Sequence, residues 1–172
     1  MSPDDEFSAL FRRWSPRVFA YAARHVGAHA AEDVVADTFL VAWRRRRVLP
    51  AEPLPWLLVT ARNTIANGRR SDARRSRLVD AAAELERAAT PQRGTADEVA
   101  ERQATLDALA SLSELEREAL LLVAWDGLTA HQAAGVAGCS RRAFEARLAR
   151  ARARLERELS TEVPHTVSGK AV

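Results

Sequence analysis

The sequence predicts an all-α protein of two helical modules joined by a flexible linker, and three observations point there. Ala, Leu, Arg and Glu, the stronger helix formers, dominate the 172 residues. Runs of β-branched residues and paired turn signals are nearly absent, so no sheet is expected. Glycine and proline are scarce, seven of each, which favours a folded helical chain over disorder.

The elements follow in order. Asp4 or Asp5 can cap a first helix, and Ser15-Pro16 reads as the N-cap and first-turn proline of a second or kinked segment running to Gly27. A helix from about Ala30 to Arg46 comes next. Pro50, Pro53 and Pro55 then break the pattern and form a stiff loop. Pro55 can open the following helix, Trp56 to roughly Arg77. Thr90–Thr95 is the best linker segment, with turn formers and no apolar period. Helices are expected near Asp97–Ala110, Ser113–Trp125, Thr129–Val136 and Ser140–Leu159. These elements divide the chain into a first module (1–80), a linker (81–103), a second module (104–160) and a frayed tail (161–172).

The formal net charge is only +3, but its distribution matters more. Arg62–Arg77 holds six Arg against Asp72 alone, and Arg141–Arg157 holds seven against Glu145 and Glu156. Between them, Glu84–Glu118 carries nine acids against four Arg. Two basic blocks around an acidic middle imply two contacts with a polyanion. An Arg-for-Lys bias of a GC-rich genome would leave the same composition, since Lys170 is the sole lysine.

The second basic block sits in a specific frame. Asp126-Gly127-Leu128-Thr129 reads as a helix stop, a turn and an N-cap, and Gly138-Cys139-Ser140 as a second tight turn and cap. A helix of about eight residues, a short turn and a long basic helix is the spacing of a DNA-binding helix-turn-helix. Phe144, Leu148, Ala151 and Leu155 share the apolar face of the last helix. Arg142, Ala146, Ala149, Arg150 and Ala153 lie opposite, flanked by Arg141, Glu145 and Arg147. Small residues between arginines let a helix sit deep in a major groove. A solvated amphipathic helix would show the same stripe without the two preceding turns.

In the first module, Leu57, Leu58, Ala61, Ile65 and Gly68 cluster on one side of their helix. Trp56, Thr60, Asn63, Asn67, Arg70 and Arg74 line the other. An aromatic, then amides, then cations suits exposed bases and their phosphates, although Trp56 taken alone fits a core position better. Helix 30–46 leaves a strip of Asp33, Asp37, Leu40 and Arg44, which fits a protein contact or a solvated face. The run Arg44–Arg47 complements the helix dipole and lies in reach of backbone phosphate.

Other chemistries find no support. His25, His29, His131 and His165 lack metal-ligand spacing, lone Cys139 closes neither a disulfide nor a zinc site, and no glycine loop fits a phosphate. No catalytic constellation and no cofactor is expected. A secretory signal pattern and a membrane-length apolar run are also missing, so the cytoplasm is the expected compartment.

The run Ala31-Glu32-Asp33-Val34-Val35-Ala36-Asp37-Thr38-Phe39-Leu40-Val41-Ala42-Trp43, followed by Trp56-Leu57-Leu58-Val59-Thr60-Ala61-Arg62-Asn63, resembles region 2 of the bacterial sigma-70-type initiation factors. It is most similar to the small extracytoplasmic-function (ECF) subgroup. The stretch from Leu109 through Arg117-Glu118-Ala119-Leu120, Asp126-Gly127-Leu128-Thr129 and Gly138-Cys139-Ser140 to Arg150-Ala151-Arg152 resembles region 4. The resemblance implies that Asp33, Asp37, Leu40 and Arg44 dock on the β′ clamp helices of core RNA polymerase. It implies that Arg47, Trp56, Thr60, Asn63, Asn67, Arg70 and Arg74 meet the −10 element and hold flipped non-template bases. It further implies that Arg141, Arg142, Glu145, Arg147 and Arg150 read the −35 element of promoter DNA while the module rests on the β flap. The tether would thread towards the active-site and RNA-exit region, and an anti-sigma factor would occlude these surfaces.

The sequence departs from the subgroup at Ala36, where Gln is frequent, and at Asn67, where Asp is usual. Ala133 and Ala137 truncate two core positions, and Phe144 stands where Val is frequent, so Phe144 is expected to fill their space. Glu145 replaces a commonly basic residue and is expected either to favour cytosine N4 over guanine or simply to reduce affinity. Two other readings fit the residues alone: a dimeric helix-turn-helix regulator, and a helical adaptor that binds only protein.

Overall fold

A computed structural model describes residues 3–75 and 106–161. All regular elements among the described residues are helical. The chain divides at Thr90/Pro91 into two units, each considered by itself.

The first unit begins with α1, Pro3–Arg44, whose first turn carries Asp4, Asp5 and Glu6 against the positive end of the helix dipole. Gly27 interrupts it with φ 78° and ψ 162°. The interruption is a reversal. Phe7 meets Trp43 edge-on at 4.9 Å between ring centroids, and Phe11 meets Phe39 at 4.8 Å. At 1.5 Å rise per residue, an unbroken helix would hold Phe7 and Trp43 about 54 Å apart. The halves before and after Gly27 therefore pack antiparallel, as a helical hairpin turning on one residue.

Ser15 and Pro16 do not open a separate segment, contrary to the sequence expectation; Pro16 lies inside helix and Gly27 is the one non-helical position of α1. Two features explain this. Phe7, Leu10, Trp14, Val18 and Tyr21 keep an inward-facing helical period straight through the proline. Pro16 and Arg12 are also both exposed, so water can take the Arg12 carbonyl that Pro16 leaves without a donor.

After α1 a short 3-10 turn, Arg46–Val48, leads to an extended Leu49, and α2 spans Leu54–Arg75. The Leu57 N–H donates to the Pro53 carbonyl at 2.9 Å, so Pro55 falls in the first turn, where its missing N–H costs nothing. Leu57, Leu58, Ala61 and Ile65 are buried against α1. Gly68, expected on the same side, is instead exposed, with nothing within 4 Å of a Cβ built there. It lies beyond the last buried residue of that face.

The second unit holds helical residues 106–111, then α3 (Glu114–Ala124), α4 (Ala130–Ala137) and α5 (Arg141–Thr161). Reciprocal capping boxes start α3 and α4. Ser113 accepts from the Glu116 N–H while Glu116 accepts from the Ser113 N–H, and Thr129 does the same with Gln132. Gly138 ends α4 in the left-handed region (φ 65°, ψ 37°), and Gly127 turns the chain after α3 with φ 63°. Leu122, Val136, Phe144 and Ala151 are wholly buried where α3, α4 and α5 pack together. The linker 81–103, most of the expected helix 97–110 and the tail after Thr161 lie outside the described residues.

Candidate nucleic-acid and polymerase interfaces

The strip on α1 is built by the half after Gly27. Val34, Val35, Thr38, Phe39 and Ala42 are buried, which leaves Asp33, Ala36, Asp37, Leu40 and Arg44 exposed on the other side. Leu40 is 46% exposed between the two aspartates and Arg44. Glu32 and Val35, from the edge of this strip, line a groove of about 380 Å³ with Phe11, Ser15, Pro16 and Phe19. The strip thus offers apolar purchase framed by carboxylates.

The basic run at the end of α1 is less uniform than its sequence. Arg46 stacks on the Trp43 ring at 4.2 Å and donates to the Trp43 carbonyl at 3.1 Å. Arg44, Arg45 and Arg47 stand exposed around it. The Arg46–Trp43 pair went unnoticed in the sequence, although its i, i+3 spacing is the one signal that marks it.

Along α2 the expected stripe grades from half-buried to exposed. Trp56 and Thr60 are half-buried, with the Thr60 hydroxyl donating to the Trp56 carbonyl at 2.9 Å. Asn63 and Asn67 are exposed one and two turns on, beside exposed Arg62. Arg70 and Arg74 belong to the last turns of α2; their side chains lie outside the description. Helical periodicity therefore brings Trp56, Thr60, Asn63 and Asn67 onto one side.

In the second unit, α5 presents Arg141, Arg142, Glu145, Ala146, Ala149 and Arg150 to solvent, with Arg147 half-buried. Phe144, Leu148 and Ala151 fix that orientation by burial on the other side. Ser140 begins the helix, its hydroxyl accepting from the Ala143 N–H at 3.2 Å. Arg141 donates from Nε to Glu145 at 2.7 Å, and Arg150 faces Glu116 at 3.8 Å. Glu116 is held below the ordinary carboxylate range by the Ser113 hydroxyl first, then by the Ser113 N–H, with smaller help from Arg154 and Arg150.

Sequence reasoning placed Arg117 in the region 4 run but missed its bonds. Its Nε donates to the Leu109 carbonyl at 3.0 Å, and one Nη to Ala110 at 3.2 Å and Leu112 at 3.0 Å. It thereby satisfies the carbonyls that end helical residues 106–111. Trp125, the C-cap of α3, is 71% exposed.

Among the described residues no group of three or more His, Cys, Asp and Glu could hold a metal ion, and no helix is long and apolar enough to cross a membrane. The arrangement suits binding: a carboxylate-framed apolar strip, an aromatic-to-amide stripe, and a basic helix behind two capped turns.

Comparison with known proteins agrees with this division. The sigma-70 region 2 family matches residues 10–75, and the sigma-70 region 4 family matches residues 102–155. The chain is 38% identical over 141 residues to the RNA polymerase sigma factor CarQ of Myxococcus xanthus, covering 79% of each protein. It is 33% identical over 150 residues to the ECF RNA polymerase sigma factor SigL of Mycobacterium tuberculosis, covering 84% of this chain and 79% of SigL. It spans only 34% of the length of a further relative from Xanthomonas campestris, at 37% identity over 136 residues. Among solved structures, the sigma factor RpoE from Bartonella quintana, crystallised with the anti-sigma factor NepR, superposes with a TM-score of 0.70 at 27% identity, covering 92% of this chain and 99% of RpoE. The two family matches fall on the two structural units in order, and the chain belongs to the sigma-70 family of RNA polymerase sigma factors, in its ECF group.

Proposed function

We propose that this chain binds core RNA polymerase, reads a two-part promoter and helps open it. Residues 1–80 serve the polymerase and the −10 element, 81–103 form the linker, 104–160 serve the −35 element, and 161–172 are a tail. The observation that carries this reading is α5, which buries Phe144, Leu148 and Ala151 and turns Arg141, Arg142 and Arg150 outward behind two capped turns. Ala146 and Ala149 between those arginines let the helix approach base edges closely.

On α1, Asp33, Asp37, Leu40 and Arg44 dock on the β′ clamp helices, with Leu40 as the apolar anchor. Ala36 lies in the same strip and supplies no polar contact there. On α2, Asn63 and Asn67 hold unstacked non-template bases beside Trp56 and Thr60, while Arg47, Arg70 and Arg74 meet phosphate. Unpairing costs a few kcal/mol per base, which stacking and phosphate contacts offset. Arg147 supports the −35 contacts from the flank of α5. Leu115 and Trp125, exposed on the second unit, are its apolar groups for the β flap. The chain itself performs no chemistry in this scheme, and works in the cytoplasm. Because RpoE was solved with an anti-sigma factor, a protein of that kind is the third partner, competing for these surfaces.

The test is transcription in vitro with core polymerase and a promoter library. The expected result is a set of new start sites sharing −10 and −35 elements, lost in Asp33→Ala/Asp37→Ala/Leu40→Ala. No new start sites from the folded protein would overturn the reading. Tight duplex binding as a dimer without polymerase would favour a conventional regulator, and salt-insensitive, weak DNA binding a protein adaptor.

A further inference from the structure

Arg141 is the first residue of α5, and its side chain runs one turn along the helix to Glu145. The bond at 2.7 Å engages Nε. A guanidinium has two hydrogen-bonding edges, and taking Nε on the side leaves the Nη1/Nη2 end free. That end is the fork that pairs with guanine O6 and N7. Both side chains are open to solvent, 67% for Arg141 and 47% for Glu145, so the described residues leave that fork exposed. Arg142, the next residue, has no ion-pair or hydrogen-bond partner of this kind among the described residues.

We infer that Glu145 is a positioning residue: it reads no base, but holds the Arg141 fork in the pose that selects guanine in the −35 element. The inference rests on the −35 reading of α5 proposed above. Two physical points support it. A carboxylate facing a phosphate-lined groove is repelled unless a cation neutralises it, and Arg141 does so at bonding distance. An arginine ordered before binding loses less rotamer freedom on pairing than a free one. The sequence expectation that Glu145 accepts from cytosine N4 would use the other carboxylate oxygen, since the Arg141 bond engages only Oε1; the position at which Glu145→Ala changes the preference separates the two roles.

The experiment uses holoenzyme assembled from core polymerase and the full chain, with a promoter library randomised through the −35 element. Wild type, Arg141→Ala, Glu145→Ala, Glu145→Gln and the double variant are compared, each shown folded by thermal melting. Arg141→Ala is expected to lower the guanine preference at one position about tenfold or more. Glu145→Ala should lower it at that same position, about two- to fivefold, the range of an exposed ion pair. Glu145→Gln, whose amide oxygen can still accept from Nε, should keep most of it. The double variant should be no worse there than Arg141→Ala. If Glu145→Ala changes the preference at a different position, Glu145 reads its own base and the inference falls. Unchanged preferences throughout would overturn it equally. Failure of wild type to initiate at any specific promoter would instead sink the initiation reading beneath it.

Discussion

Arg117 lies eight residues beyond Leu109 and donates its Nε hydrogen to that carbonyl at 3.0 Å. The same guanidinium reaches Ala110 and Leu112, so one side chain closes the C-terminal end of helical residues 106–111 and ties it to the first turn of α3.

Replacing Arg117 by Ala removes three hydrogen bonds, two of them part-buried, and leaves the Leu109 carbonyl with only the Leu112 N–H at 3.3 Å. The expected loss is about 1–3 kcal/mol. Arg117→Lys should recover only part, because an ammonium lacks the planar fork that spans several acceptors. Urea denaturation of the three proteins measures this; equal midpoints would show the bonds carry no net stability.

Glu116 gives the fold a pH dependence of defined sign. Its carboxyl is depressed in the folded chain by the Ser113 hydroxyl and N–H. Its contribution is therefore present above the unfolded-state value and is lost as pH falls through the folded one. Melting temperature should drop on acidification below the usual Glu range, and less so in Glu116→Gln. Gln suits that position, since Gln132 fills it in the box that starts α4.

Two glycines should respond in opposite directions to alanine. Gly135, exposed inside α4, has nothing within 4 Å of an added Cβ, so Gly135→Ala should stabilise by about 0.5–1 kcal/mol. Gly27 sits at φ 78°, where an L side chain is strained, and Gly27→Ala should destabilise by about 1–3 kcal/mol. Thermal melts of the single variants separate the two effects.

Phe144 is completely buried, as are Ala133 and, nearly so, Ala134 and Ala137. We propose that the phenylalanine fills the space these truncated neighbours leave. Phe144→Val should cost about 1–3 kcal/mol through the cavity it opens. An unchanged melting temperature would mean the surroundings collapse onto valine.

What the sequence disclosed follows the range of the interactions. The starts of α3 and α4 were legible because Ser113, Glu116, Thr129 and Gln132 act within one turn. The inward face of α5 was legible because a 3.6-residue period decides it. Pro16 misled because its local preference for a helix start is overridden by an apolar stripe that continues through it. Gly68 misled because periodicity says which side a residue faces but not how far along the packed surface extends. The capping role of Arg117 was not legible, its partners being five to eight residues away, and the Arg141–Glu145 bond needed rotamers as well as spacing.

The backbone angles at Gly27 have one more consequence, which concerns chirality. At φ 78° and ψ 162° the residue occupies the mirror image of ordinary extended backbone, the region a D-amino acid prefers as an L residue prefers its reflection. At this one place the hairpin of α1 asks for the wrong hand, and glycine is the only encoded residue that can supply it. A chain assembled by chemical ligation with D-alanine at 27 would keep the turn and restrict the unfolded ensemble. The antiparallel pairing of Phe7 and Phe11 with Phe39 and Trp43, and the aspartate strip that rides on it, thus rest on a position where every other encoded residue is strained.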